Sequence, residues 1–144
     1  MIFQICCSHG LSYSKFTLSN LQLSEAVISD GEFRLAVSLT VENIGNVTGS
    51  EVVQVYISLP ATSELTHPLL QLKGFTKVHD LVPGSKKEHV EVVLDKYAVS
   101  YWNDMIDAWM VEKGVYGVEV GTGGDCLSLR ATFEVTKGFE WSGL

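Results

Sequence analysis

Apolar and polar side chains alternate along several stretches of the chain. From Phe33 to Val41 every odd position is apolar, while the even positions carry arginine, alanine, serine and threonine. Successive side chains of a strand point to opposite faces, so this pattern buries one face and exposes the other. The same alternation occurs in 53–59, 90–94, 116–120 and 127–135. No stretch repeats apolar residues at helical spacing over several turns, and the sequence therefore predicts an all-β protein.

Turn-forming residues separate these stretches at short intervals: Asn43-Ile44-Gly45-Asn46, Pro83-Gly84, Lys113-Gly114 and Gly121-Thr122-Gly123-Gly124. Glycine adopts positive φ without strain, and Pro followed by Gly suits a type II turn. Gly74, inside the apolar stretch 72–78, indicates a β-bulge or a close approach of two backbones. About seven or eight short strands with frequent turns favour a two-sheet β-sandwich, with a closed barrel as the alternative.

Size and charge narrow the classes of function. The chain has 144 residues, 46% apolar and 19% charged, which suits one folded domain with its own core. Its net charge is −7 and no Lys/Arg cluster offsets it, so neither nucleic acid nor an anionic membrane surface is expected as a partner. No apolar run approaches the roughly 20 residues that span a bilayer.

Metal and cysteine chemistry are not indicated. Cys6, Cys7 and Cys126 form neither a disulfide framework nor the paired spacing of a zinc site. We interpret Cys126 as a small core or edge residue. The four histidines lack the spacing of metal ligands, and no cofactor is predicted. Residues 1–7 are apolar but lack the basic start and the cleavage site of a signal peptide.

Several motifs follow one another in an order that is typical of one family: His9-Gly10-Leu11-Ser12-Tyr13, 41–45 with 49–56, 71–78 with 81–84, 100–102, Trp109 and 114–121. Together they resemble the C-terminal, fibronectin type III-like domain of family 3 glycoside hydrolases, the β-glucosidases. The resemblance runs from about His9 to Val135. It implies an immunoglobulin-like β-sandwich that serves as a non-catalytic accessory domain.

The resemblance also implies what lies outside this chain. In the family the nucleophile and the general acid belong to two upstream domains, so the implied partners are catalytic domains in cis and the implied compartment is extracellular. The motif at His9 leads into the last domain, and we predict His9, Tyr13 and Phe16 as docking anchors. The family's aromatic-Pro-Phe-Gly lead-in is absent before His9. We therefore expect residues 1–8 to be an artefact or a truncation scar and the native protein to continue upstream.

Acidic pairs are the candidates for catalysis within the chain. Glycoside hydrolysis requires two carboxyl groups on opposite sides of the scissile bond. Asp30 with Glu32, and Asp104 with Asp107, fall in turn-like polar segments where solvated carboxylates are usual. We predict no catalytic residue, and we expect the chain alone not to hydrolyse glycosides.

Three aromatic residues have two interpretations. Tyr101, Trp102 and Trp109 belong to a predicted hairpin, where large rings would anchor facing strands. As an exposed row, they would instead stack on sugar rings, and the chain would be a stand-alone carbohydrate- or polymer-binding module. A protein-interaction sandwich with no connection to sugars is a third alternative.

Domain boundaries and one modification site complete the predictions. We divide the chain into an atypical N-terminal segment (1–8), a linker or docking segment (9–28), the sandwich (29–137) and a tail (138–144). Asn46-Val47-Thr48 is an N-glycosylation sequon in a predicted hairpin loop. It agrees with the secretion that the resemblance implies.

Overall fold

The computed structural model describes residues 12–60, 70–84, 88–124 and 126–143. Within these ranges the chain forms eleven strands and one four-residue helix. The elements are β1 (Phe16–Leu23), β2 (Val27–Ser29), β3 (Glu32–Asn43), β4 (Gly49–Ser58), β5 (Gln71–Leu81), β6 (Glu88–Asp95), α1 (Lys96–Val99), β7 (Tyr101–Asn103), β8 (Ala108–Val111), β9 (Gly114–Gly121), β10 (Leu127–Val135) and β11 (Phe139–Trp141).

The described strands pair into three antiparallel sheets. In the first sheet, β3 is central: β1 and β2 pair with it in succession, and β6 also pairs along it. The second sheet has the order β10-β9-β4-β5, and a small third sheet has the order β11-β8-β7. The first two sheets contribute side chains to one core, which confirms the predicted two-sheet β-sandwich.

The core consists of the alternate side chains that the sequence pattern singled out. Positions 35, 37, 39 and 41 of β3 and positions 53 and 55 of β4 have no exposed surface. Tyr116 from β9 and Phe133 from β10 stack with ring centroids 5.2 Å apart at the same interface. Since a shift of one residue would turn each buried side chain to solvent, this burial fixes the strand register.

Gly74 lies both beside a β-bulge and at a close approach to another strand, the two possibilities that its position in the sequence indicated. The pairing of β4 with β5 shifts between Val55 and Tyr56, which marks a β-bulge beside Gly74. A Cβ atom at Gly74 would lie 2.8 Å from Val92 Cγ1 and 3.0 Å from Leu94 Cδ2. The backbone of β5 therefore lies against side chains of β6, a strand of the opposite sheet, and only glycine leaves room for them.

Two segments that were expected to be linker and tail contain strands. β1 lies inside 9–28 and pairs with β3, and β11 lies inside 138–144 and pairs with β8. The alternation along β1 is interrupted because the register shifts between Ser19 and Gln22, where Asn20 adopts a positive φ of 54°. A bulge of this kind breaks the period of two from which strands are recognised.

Two local features had no signal in the sequence. The helix α1 is a single turn, too short to produce helical periodicity, and the Asp95 side chain accepts a hydrogen bond from Tyr97 N at its start (3.0 Å). Cys126 is buried, as expected, but it is also disulfide-bonded, which the count and spacing of the three cysteines did not predict.

The carboxamide of Asn43 organises the end of the sandwich where the chain enters the first sheet. Asn43 is fully buried, and its Nδ2 donates hydrogen bonds to the carbonyls of Val47 and Leu81, both at 2.8 Å. Its Oδ1 accepts hydrogen bonds from Ser14 Oγ (2.7 Å) and from Gly45 N (2.9 Å). One side chain thus joins the entering segment, the turn between β3 and β4, and the end of β5.

Replacing Asn43 by alanine should destabilise the fold, because several buried polar groups lose their partners at once. We expect the free energy of unfolding to fall by roughly 2–4 kcal/mol, measured by urea denaturation. The matched control is Asn46→Ala, an exposed asparagine in the same turn, which should change stability by less than about 0.5 kcal/mol. Equal unfolding midpoints for the two variants would contradict the role assigned to Asn43.

Candidate functional site: an aromatic cluster and the entry end

The aromatic residues predicted from the sequence lie on the small third sheet. β7 and β8 form the expected hairpin, in which Trp102 pairs with Trp109. On the other side of β8, Trp141 of β11 pairs with Trp109. Residues paired directly across antiparallel strands have side chains on one face of the sheet, so the three indoles form a row.

The rings of this row pack against one another. Trp109 stacks on Trp141 with centroids 5.5 Å apart and an interplanar angle of 10°. Trp102 meets Trp109 edge-to-face at 5.6 Å, and Tyr97 meets Trp141 edge-to-face at 4.8 Å. We call Tyr97, Trp102, Trp109 and Trp141 the aromatic cluster. Such pairs add about 0.5–1.5 kcal/mol each beyond their burial, so the cluster holds the third sheet together.

Sequence reasoning missed two members of the aromatic cluster. Tyr97 lies in the single-turn helix α1, and Trp141 lies in the short β11 within the expected tail. Neither residue belongs to a stretch in which apolar side chains recur with a recognisable period. Only the pairing of β11 with β8 brings Trp141 to Trp109, from 32 positions away along the chain.

Polar groups fix the orientation of Trp141. Its indole Nε1 donates a hydrogen bond to Ser100 Oγ (3.0 Å), and Lys96 Nζ lies 4.7 Å from its ring centroid. The same ammonium group forms an ion pair with Glu32 Oε1 at 2.5 Å. Trp141 therefore belongs to a network that connects the third sheet to the start of β3.

Tyr101 is separated from the aromatic cluster. Adjacent residues of a strand point to opposite faces, so its ring lies on the other side of the third sheet from Trp102. Its hydroxyl donates a hydrogen bond to Glu112 Oε1 (2.7 Å). Burial, together with this hydrogen bond and the negative charge of Glu112, raises the pKa of Tyr101 to about 12. The three predicted sugar-stacking residues thus do not share one face.

The members of the aromatic cluster differ in their exposure to solvent. Trp102 and Tyr97 are each 44% exposed, whereas Trp109 and Trp141 are partly buried and cover each other's faces. A sugar ring stacks on an exposed aromatic ring, so Trp102 and Tyr97 are the members of the cluster that remain as candidates.

Three of the four residues in the acidic pairs, Asp30, Asp104 and Asp107, lie in polar turns as expected, whereas Glu32 is the first residue of β3. Asp30 and Asp107 adopt positive φ values of 52° and 55° in turns, and Glu32 is engaged by Lys96. A surface depression of about 410 Å³ is lined in part by Glu112 and Glu140. In the part of the chain that the structure describes, no three His, Cys, Asp or Glu residues are grouped so that they could hold a metal ion. Nor do the described residues include a helix long and apolar enough to cross a membrane.

The predicted docking anchors differ in their surroundings. His9 lies outside the described residues. The Tyr13 side chain is 97% exposed, whereas Phe16 is partly buried and packs against the core of its own domain. Asn46, the sequon residue, is exposed in the turn between β3 and β4, as are Val47 and Thr48.

Comparison with known proteins identifies the family of this sandwich. The Fn3-like family, described as a fibronectin type III-like domain, matches residues 51–123. The chain belongs to the fibronectin type III-like domain family. The matched residues run from within β4 to the turn after β9, and they include strands of all three sheets.

Relatives that match nearly the whole chain are β-glucosidases. A probable β-glucosidase I of Emericella nidulans is 44% identical over 141 residues, which cover 94% of this chain and 16% of that protein. The solved β-glucosidase 3B of Thermotoga neapolitana is 35% identical with a TM-score of 0.82, covering 94% of this chain and 18% of that one. The β-glucosidase of Kluyveromyces marxianus is 42% identical with a TM-score of 0.81, at 94% and 16% coverage.

These matches fix which part of a β-glucosidase the chain resembles. It spans less than a fifth of the length of these three relatives and corresponds to their C-terminal, fibronectin type III-like region. The expected relation to family 3 β-glucosidases is therefore confirmed.

Within the aromatic cluster, Trp109 should matter for stability and Trp102 much less. Trp109→Ala removes the ring that contacts three other aromatic rings, and we expect a loss of roughly 3 kcal/mol in the free energy of unfolding. Trp102→Ala removes a half-exposed ring and should cost less than about 1.5 kcal/mol. Urea denaturation followed by circular dichroism measures both, and a larger loss for Trp102→Ala would refute this assignment.

Proposed function

We propose that this chain is a non-catalytic accessory domain of a β-glucosidase, which packs against the catalytic part of the same polypeptide and stabilises it. The observation that carries the proposal is the match to the C-terminal region of whole β-glucosidases, of which this chain covers only 16–18%. The rest of such a protein is several times larger, and it is the natural partner of the domain in cis.

The geometry of the described residues supports an accessory role. Their candidate acidic pairs lie in turns or in an ion pair with lysine, rather than facing each other across a cleft. Glycoside hydrolysis needs two carboxyl groups about 5–10 Å apart on either side of a bound sugar. The catalytic groups of the proposed parent enzyme would therefore come from its other domains.

A chimeric enzyme tests the accessory role. The 141 aligned residues of the Emericella nidulans β-glucosidase I are replaced by this chain, and the chimera is compared with an enzyme that lacks the segment. We expect the chimera to hydrolyse an aryl β-glucoside, and to melt at least about 5 °C higher than the deletion variant because docking adds stability. The chain alone should show no hydrolysis.

Either of two results would refute the accessory role. One is hydrolysis of the aryl β-glucoside by the purified chain alone, at a rate comparable with the chimera. The other is a chimera that is no more stable and no more active than the enzyme without the segment.

Secretion is the compartment that we propose for the parent enzyme. The matched relatives include β-glucosidases from several fungi, and the Asn46 sequon is exposed in the turn between β3 and β4.

A second candidate function is binding of a polysaccharide by the aromatic cluster. The half-exposed side chains of Trp102 and Tyr97 support it, because aromatic rings at a surface can stack on sugar rings. If this function is correct, Trp102→Ala should keep the fold and lose retention on insoluble cellulose by at least about tenfold, equivalent to roughly 1.4 kcal/mol. The control is Phe75→Ala, which removes a different exposed aromatic side chain. Equal retention of the parent chain and Trp102→Ala would exclude this role for the cluster.

A further inference from the structure

A depression of about 410 Å³ lies beside the third sheet, between the end of β8 and the start of β11. Among the residues that line it are Met110, Glu112, Lys113, Gly138 and Glu140. Its volume falls in the range of sites that hold small organic ligands, roughly 300–1,000 Å³. We call it the polar depression.

Strand pairing directs the side chains of the polar depression to the face of the third sheet that is opposite the aromatic cluster. Met110 pairs with Tyr101 on one side and with Glu140 on the other. Because directly paired residues have their side chains on one face, these three project together, away from Trp109. The Tyr101 hydroxyl contacts both Met110 Sδ (3.2 Å) and Glu112 Oε1 (2.7 Å), so Glu112 lies on this face as well.

Two features hold the walls of the polar depression in place. A Cβ atom at Gly138 would lie 2.6 Å from Val111 O, so only glycine lets this segment approach the end of β8 so closely. The Tyr101 hydroxyl orients the Glu112 carboxylate by donating a hydrogen bond to it. Since burial raises the pKa of Tyr101 to about 12, the hydroxyl keeps this proton at neutral pH. The depression is therefore formed by contacts within the domain itself.

The polar groups of the depression favour a neutral ligand that carries several hydroxyl groups. The carboxylates of Glu112 and Glu140 accept hydrogen bonds, whereas the ammonium group of Lys113 donates them. An anion would be repelled by the two carboxylates, and a cation would be repelled by the ammonium group. A sugar hydroxyl both donates and accepts, so it suits groups of either kind. The Met110 side chain adds an apolar surface for the C–H groups of a sugar ring.

We propose that the polar depression binds a glucose residue, with Glu112 and Glu140 accepting hydrogen bonds from its hydroxyl groups and Lys113 donating one. The choice of sugar rests on the proposed function, because a β-glucosidase releases glucose near its accessory domain. The two carboxylates project from one face of a sheet rather than from either side of a bound sugar, so the site binds the sugar without hydrolysing it. It is separate from the aromatic cluster, which lies on the opposite face.

Methionine methyl signals in a nuclear magnetic resonance titration test this site in the full chain. Met110 lines the polar depression, whereas Met105 is 89% exposed in the turn between β7 and β8 and serves as an internal control. We expect glucose or cellobiose to shift the Met110 signal with a saturable dissociation constant of about 1–10 mM. The Met105 signal should stay unchanged, and glycerol at the same concentration should shift neither signal.

Variants of two exposed lining residues show whether the polar groups bind the sugar. Glu140→Gln removes a charged acceptor and should raise the dissociation constant at least about fivefold. Lys113→Met is the second variant and should also weaken binding, by about threefold or more. The matched control is Glu134→Gln, an exposed glutamate on β10, which should bind as the parent chain does. Trp102→Ala should leave the titration unchanged, because its ring lies on the opposite face.

Three results would overturn the glucose site. The first is a Met110 signal that does not shift at about 50 mM of either sugar, well above the expected dissociation constant. The second is an equal shift with glycerol, or binding that neither Glu140→Gln nor Lys113→Met weakens. The third is a saturable shift with the diamine putrescine but not with glucose, which would make the depression a site for cations. Each of these leaves the accessory function untouched, because that function is measured by the melting temperature and activity of the chimera.

Discussion

The burial of alternate side chains of β3 against those of β4 is the constraint on which the rest of the structure depends. β3 pairs with β1, β2 and β6, and β4 pairs with β5 and β9, so each central strand positions most of its own sheet. Because the inner side chains of both strands are completely buried, neither can slip by one residue without exposing them. The register of the outer strands is set by their pairing with β3 and β4, directly or through β9.

The same constraint explains why a polar residue organises the entry end. The inward positions of β3 continue beyond Val41 to Asn43, which is the next residue with the same orientation and is also fully buried. A buried carboxamide must find partners, and Asn43 finds them in the entering segment, the following turn and the end of β5. The core thereby determines the arrangement of a surface that lies outside it.

The sequence predicted those parts of the fold in which side chains alternate without interruption. β3, β4 and β10 follow the expected pattern, and the Trp102–Trp109 hairpin could be located from its aromatic residues and polar turn. β1 was missed because Asn20 and a bulge break its alternation. Trp141 was missed because its role depends on pairing with a distant strand, and pairing between distant segments leaves no local period in the sequence.

The two groups of candidate residues differ in how much they contribute to the packing of the domain itself. Trp109 and Trp141 bury their faces against each other and join the third sheet to the sandwich, so the fold alone accounts for the aromatic cluster. Tyr13, Ile44, Val47 and Val82 contribute little to their own core, yet hydrogen bonds gather the segments that carry them at the point where the chain enters. Holding apolar side chains in water stabilises nothing in an isolated domain. The hydrogen bonds around Asn43, and not the burial of these four side chains, therefore set the arrangement of this end of the sandwich.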